Sequence, residues 1–320
     1  MLRRRHFIAA SAATLPALAA AQAFPAKPIR IVVPFGAGGI ADLTARAVAK
    51  ALGDSFSQGV VVENKPGAGG VVAGETVARA DPDGHTLLLM SNATAVSAGL
   101  FRSLPFDAQK DFAPVVTLGY FDIAVIADAK SRFASLREML AFAKANPGRL
   151  NVGTVNVGST QHLSAELLKT AAGVDFQVVP FNGSPAVLNA LRGAQVDVAV
   201  EILGPMMGQI AAKAVRPLAV MGAKRAAGVK DVPTVAESGV PGFDVASWNA
   251  LAAPAKTPPA VVAVLNREAN KALQDAALRR QLAELNVTPA GGTPQQLRQL
   301  LSSEIGRWSE VIARAGVPRQ

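Results

Sequence analysis

Residues 34–46, PFGAGGIADLTAR, follow the apolar run IRIVV and carry Gly36, Gly38 and Ala41 at G-x-G-x-x-A spacing. Between a strand and a helix, that spacing brings the backbone close to an anion, with unsatisfied helix N-terminal amides pointing at it. Glu63 closes the next apolar run, VVVE, about where an acid would hold a ribose. The chemistry on offer is anion binding, either to a dinucleotide pyrophosphate or to another anionic group.

Three later junctions have the same build: LMSNATAVS, VGTVNVGSTQH and PFNGSPAVLNAL. Each sets small and hydroxyl residues where a helix opens, and the helix dipole there favours an anion by about 0.3 to 1 kcal/mol, up to about 2 when partly buried. With the first taken as PFGAGGIAD, none of the four loops contains Lys or Arg. An anion between them is therefore held by neutral amides and hydroxyls, at roughly 1.5 to 3 kcal/mol per hydrogen bond to a charged acceptor. Any one of these loops also reads as ordinary capping and turn formation, so it is their convergence on one cleft that would make a site. Asp42 reads as a structural cap of its helix, since facing an anion it would repel.

Catalytic constellations are missing. There is no G-x-S-x-G, no G-x-x-x-x-G-K-[ST] and no H-E-x-x-H, and beyond the first 23 residues the histidines are His85 and His162. His85 follows the turn DPDG and reads as a turn residue, whereas His162, early in a helix, could donate to a ligand carboxylate or to a backbone carbonyl. The sequence thus assigns no catalytic residue, no metal ligand and no cofactor.

Four loops of this kind need a scaffold to bring them together. From residue 29 onward, β-branched runs alternate with segments of helical period: IRIVV, helix 41–52, VVVEN, helix 70–80, TLLLM. After PVVTLGYFDIAVIA a second series follows, with helices 136–145, 159–172 and 185–192 between the strands LNVGT, FQVVP, VDVAV and VRPLAV. The pattern is α/β, two parallel-sheet units in succession. Residues 258–318 read as nearly all helical, with Leu265, Leu273, Leu282, Leu297, Leu301, Ile305 and Trp308 able to share a face. The chain is expected to cross to the second unit through GYFDIAVIA and return through FDVASWNALAAP, then lay its C-terminal helices on the first unit. Trp248, in the return, is expected in the core. Ligands of open parallel sheets sit beyond the carboxyl ends of the strands, which is where these four loops fall.

Composition narrows the partner. The chain has 320 residues, half of them hydrophobic, and no cysteine, so a large core is available and no disulfide is used. Residues 1–23, MLRRRHFIAASAATLPALAAAQA, have the three-part build of an export signal: three arginines, an apolar run, and Ala21-Gln22-Ala23 before a cleavage point at Phe24. Arg4-Arg5 fits the twin-arginine type, and an uncleaved anchor is the alternative. The leader holds three of the nine surplus basic residues, leaving a charge of +6. With no basic block and with Tyr120 the lone tyrosine, nucleic acid is a poor partner and an anionic small molecule a good one.

The stretches KPIRIVVPFGAGGIADLTAR, VVVENKPGAGGVVAGETVARADPDGHTLL, LPFDAQKDFAPV, VGSTQHLSAELL, DVPTVAESGVPGFDVASW and LAAPAKTP resemble the substrate-binding proteins of tripartite tricarboxylate transporters, the Bug proteins. The resemblance runs over essentially all of the chain beyond the leader. It implies a periplasmic, monomeric, two-lobed binding protein of type II-like fold, with two α/β domains joined by two crossing strands. It also implies a cleft that closes on a small carboxylate, such as a di- or tricarboxylate, an aromatic acid or an amino acid, for delivery to membrane permease subunits. The domains would be 24–122 plus 246–320, and 123–245.

Carried over residue by residue, the first-lobe ligand loop matches Phe35, Gly36, Ala37, Gly38, Gly39, Ile40 and Ala41, and a second loop matches Ser91, Asn92 and Thr94. In the second lobe the matches are Thr154, Gly158, Ser159 and His162, then Phe181, Asn182, Gly183 and Ser184. Three residues depart from the family pattern: Asn156 replaces a glycine, Asn182 a frequent lysine, and Glu201 stands where a shorter acid or small residue is usual. At the end of its strand Glu201 could meet a ligand ammonium or hydroxyl, or could cap the helix that follows. Two other readings stay open: an exported nucleotide-cofactor oxidoreductase using the Gly36-x-Gly38 turn, and a signalling receptor that presents its ligand to a sensor.

Overall fold

The computed structural model describes residues 24–320; residues 1–23, read above as an export signal, lie outside the described residues. IRIVV forms β1 (Ile29–Val33), with four of its five residues fully or nearly fully buried, as expected of a parallel strand covered on both faces. α1 (Ile40–Phe56), β2 (Val60–Asn64), α2 (Val71–Ala78), β3 (Thr86–Ser91) and α3 (Asn92–Leu100) complete the first series. β1 pairs in parallel with both β2 and β3.

β4 (Phe112–Asp128), 17 residues long, joins the two halves of the molecule. Its first part, Phe112 to Asp122, pairs antiparallel with β9 (Ala246–Pro254), which in turn pairs with β3. Its second part, from Ile123 on, pairs with β7 (Val198–Ile202) and β8 (Val215–Val220). Between them run α4 (Leu136–Ala145), β5 (Asn151–Val155), α5 (Thr160–Ala171), β6 (Gln177–Phe181), α6 (Ser184–Arg192) and α7 (Leu203–Ala211). The result is one curled sheet in the order β2-β1-β3-β9-β4-β7-β5-β6, folded into two lobes.

The C-terminal segment holds α8 (Pro259–Ala272), α9 (Ala276–Glu284), β10 (Val287–Gly291) and α10 (Pro294–Arg314). Here the structure adds a strand to the nearly all-helical reading: VTPAG is extended and pairs antiparallel with Thr117 to Phe121 of β4. α8 and α9 cover the first-lobe sheet, where Leu265, Ala269 and Leu282 join Ile29, Ile31 and Val48 in one apolar cluster. α10 covers the opposite face. Leu297, Leu301, Trp308 and Ile312 join Val96 and Leu100 of α3 in a cluster that also takes in Leu163 and Leu168 of α5. Each such side chain contributes roughly 1.5 to 3 kcal/mol through burial, so this cluster holds the lobes together at that side. Trp248 is buried in the same cluster, as expected. Among the described residues no helix is long and apolar enough to cross a membrane.

Candidate ligand-binding site

The loop between β1 and α1 is fixed from beneath by Asp42. This residue is 2% exposed; its carboxylate accepts from the Gly38 amide (2.8 Å), from Arg46 (3.0 Å) and from the Asn64 side chain (2.9 Å). Burial alone would raise its pKa, but these hydrogen bonds and the Arg46 charge outweigh it and hold the carboxyl below the ordinary value. Asn64 also donates to the Phe35 carbonyl. The structural role read for Asp42 therefore holds, with the consequence that the Gly38 amide is already engaged. Gly36, Ala37, Gly38 and Gly39 are exposed, Phe35 half-buried, and Ile40 and Ala41 buried. A Cβ on Gly36 or Gly38 would meet nothing within 4 Å, so the loop borders open space. Gly38 has φ +82°, which favours glycine. Glu63, the ribose candidate, is paired with Arg30 (2.9 Å) and Lys65 (3.3 Å).

The second first-lobe loop is a capping box. The Ser91 hydroxyl accepts from the Ala93 amide, and the Thr94 hydroxyl accepts from the Ser91 amide. Asn92 is fully buried and reaches across the lobes: its Nδ2 donates to Thr160 Oγ1 (3.2 Å) and its Oδ1 accepts from Trp308 Nε1 (2.8 Å). Its side chain is thus a bridge between α3, α5 and α10.

In the second lobe the elements open on one carboxylate. Glu201, 1% exposed at the end of β7, accepts on Oε2 from Ser184 Oγ (2.9 Å), the Ile202 amide (3.1 Å) and Gln161 Nε2 (3.4 Å). These donors stand at the N-termini of α6, α7 and α5. Oε1 is buried without a partner. Burial pushes the Glu201 carboxyl up from 4.5 to about 7, against the three hydrogen bonds that lower it. Ser159 caps α5 by accepting from the His162 amide. Gly158, at φ +80°, leaves room for Leu100 of the first lobe, which a Cβ would strike. Asn156 and Asn182 are exposed, Phe181 and Gly183 half-buried, and Thr154 fully buried with its hydroxyl unpartnered. His162 is 6% exposed, its Nδ1 has no partner, and burial lowers its pKa, which keeps the ring neutral at pH 7.

Three residues that sequence reasoning did not single out belong to this arrangement. Gln161 and Thr160 are the α5 side chains that hold Glu201 and Asn92. Asn249, on β9, is 1% exposed with both its Nδ2 and Oδ1 unpartnered. It stands directly opposite Ser91 in the β3–β9 register, at the carboxyl end of β3. Nothing in an apolar strand such as SWNALAAP marks Asn249 as other than a core residue; its two partnerless side-chain atoms show only in the structure, where Nε1 of the core residue Trp248 beside it is partnerless too.

Two lobes on a shared curled sheet, with helix-opening loops at the carboxyl ends of their strands and buried polar atoms left unpaired there, define a solute-binding protein. Solved structures similar to the chain include the following three. The periplasmic binding protein BugD matches at TM-score 0.82 and 30% identity, over 93% of this chain and 100% of its own. Rpa4515 of R. palustris, solved with adipate, matches at 0.84 and 33%, over 92% and 98%. MatC of Rhodopseudomonas palustris, with bound malate, matches at 0.80 and 33%, over 90% and 100%. Residues 44–317 match the family described as the tripartite tricarboxylate transporter family receptor, and the chain belongs to that family. It is a family of solute-binding receptors, not of enzymes.

Proposed function

We propose that the protein is an extracytoplasmic receptor that captures a small carboxylate in the cleft between lobes 24–122 plus 246–320 and 123–245. The ligand is a di- or tricarboxylate, an aromatic acid or an amino acid. Delivery is to the permease subunits of a tripartite tricarboxylate-type transporter. The receptor acts as a monomer after export directed by residues 1–23. The first lobe contributes amides of residues 35–41, except that of Gly38, together with the Ser91–Thr94 turn; the second contributes Thr154, the 156–162 turn, the 181–184 turn and Glu201.

The observation that carries this reading is a set of buried polar atoms, on Thr154, Asn249 and Glu201, that have no partner among the described residues. Leaving each unpaired costs roughly 1 to 3 kcal/mol, and a polar guest removes that cost. The similar proteins solved with adipate and malate support a carboxylate as the guest. The nucleotide reading loses its two supports, since the Gly38 amide is taken by Asp42 and Glu63 by Arg30 and Lys65.

Thermal-shift titration of the purified protein against adipate, malate, aromatic acids and amino acids tests the proposal. A ligand at about one hundred times its Kd stabilises by about 2.7 kcal/mol, a rise of several degrees in Tm. A response confined to nucleotides would overturn the reading.

A further inference from the structure

Glu201 combines features that the capture of an anion by neutral donors does not require. Its Oε2 takes all three available donors, from Ser184, Ile202 and Gln161. Its Oε1 is equally buried and has none. A carboxyl group arranged in this way has one place for a proton, because Oε2 already faces three donors and Oε1 faces no protein donor or acceptor. Among the described residues no cation compensates the charge: the causes acting on its titration are burial and those three hydrogen bonds. The titratable residues on the elements packed against β7 are His162, Glu166 and Lys169 on α5, Arg192 on α6, and Tyr120, Asp122 and Asp128 on β4, and none of them hydrogen bonds to Glu201.

An ionised Glu201 beside a ligand carboxylate would be two like charges in a site without Lys or Arg. A protonated Glu201 is instead a donor pointing from Oε1, and a carboxylate is an acceptor that needs one. We propose that Glu201 binds the ligand carboxylate through a proton held on Oε1, so that ligand capture is linked to protonation of this side chain. The inference rests on the carboxylate reading given above. The proton comes from solvent and returns to it on release; no bond other than O–H forms or breaks. Because burial brings the free group to about 7, the linkage operates across neutral pH.

The test is isothermal titration of the full chain with malate and with adipate between pH 6 and 8.5, in buffers of different ionisation enthalpy. Wild type is expected to take up a proton on binding, with the affinity falling about tenfold per pH unit above about pH 7. In E201Q the amide oxygen replaces Oε2 and the amide nitrogen supplies a permanent donor in place of Oε1–H. This variant is expected to bind within about threefold of the wild-type affinity at pH 6, with no pH dependence and no proton uptake. Binding without proton exchange overturns the proposal. So does uptake confined to pH below 6.5, which would belong to His162, or an affinity that rises with pH and is lost in E201Q, which would mean an ionised Glu201 meeting a ligand ammonium. Should E201Q not fold, the proton count and its midpoint in wild type still decide. If no carboxylate binds at all, the reading under Proposed function fails as well, an outcome distinct from binding without proton exchange.

Discussion

Glu201 and Asp42 are both buried carboxylates, and they titrate in opposite directions because of what surrounds them. Asp42 has Arg46 beside it and is held below its ordinary value, so its contribution to stability is lost as pH falls through that lowered pKa. Glu201 has donors but no cation, and burial lifts it from 4.5 to about 7. A group with a raised folded pKa contributes its stability fully below the unfolded value and loses it as pH rises through the folded value. For Glu201 that window is 4.5 to about 7, and the loss across it is on the order of 3 kcal/mol. E201Q cannot ionise. Melting the ligand-free proteins at pH 5 and pH 8 is therefore expected to show the Tm of E201Q gaining several degrees relative to wild type at the higher pH. A difference between the two proteins that is the same at both pH values would mean that Glu201 does not titrate in this range.

At the scale of elements, β9 carries a polar residue where a strand of its burial has no need of one. All but the first of its nine residues are buried, and Asn249 lies on the face that Leu251 and Ala253 share with the first-lobe core. N249L continues the apolar run and removes two unpaired polar atoms, so the apo protein is expected to keep or gain Tm while carboxylate affinity falls tenfold or more, measured by titration calorimetry. Loss of stability with unchanged affinity would make Asn249 a core residue only. The sequence displayed the elements themselves well: α4 was expected at 136–145 and is found at Leu136–Ala145, and β2 and β8 fall on VVVEN and VRPLAV. These have strong apolar periodicity and clear boundaries. β10 escaped because VTPAG, with its Pro and Gly, has little strand propensity and is extended only by its pairing with β4. The four helix-opening loops were legible as turns of small residues. That Asp42 and the small hydroxyl residues could cap was legible as well; that Asp42 takes up the Gly38 amide and that Asn92 bridges to the distant Thr160 was not, because side-chain geometry and long-range partners are not encoded in spacing.

At the scale of the molecule, the lobes are joined covalently through β4 and through the return from Val245 into β9, and they meet again where α3 and α10 touch α5. Leu100 fills the space left by Gly158, and Asn92 donates to Thr160 while accepting from Trp308. Removing the Asn92 side chain leaves Trp308 Nε1 its second acceptor, Glu304 Oε2, so the group lost is the bridge to Thr160. A neutral hydrogen bond contributes about 0.5 to 1.5 kcal/mol net. If it exists only with the lobes together, its loss lowers the competent fraction and raises the apparent Kd by about 2- to 13-fold. N92A and T160A are both expected to weaken carboxylate binding to this extent, and to enlarge the radius of gyration of the ligand-free protein in solution scattering. A double-mutant cycle separates this bridge from direct ligand contact: the pair N92A/T160A should lose no more than either alone, because both remove the same bond. Additive losses with unchanged scattering would instead mean that each side chain touches the ligand by itself, and that the lobes close without help from the α3–α5 junction.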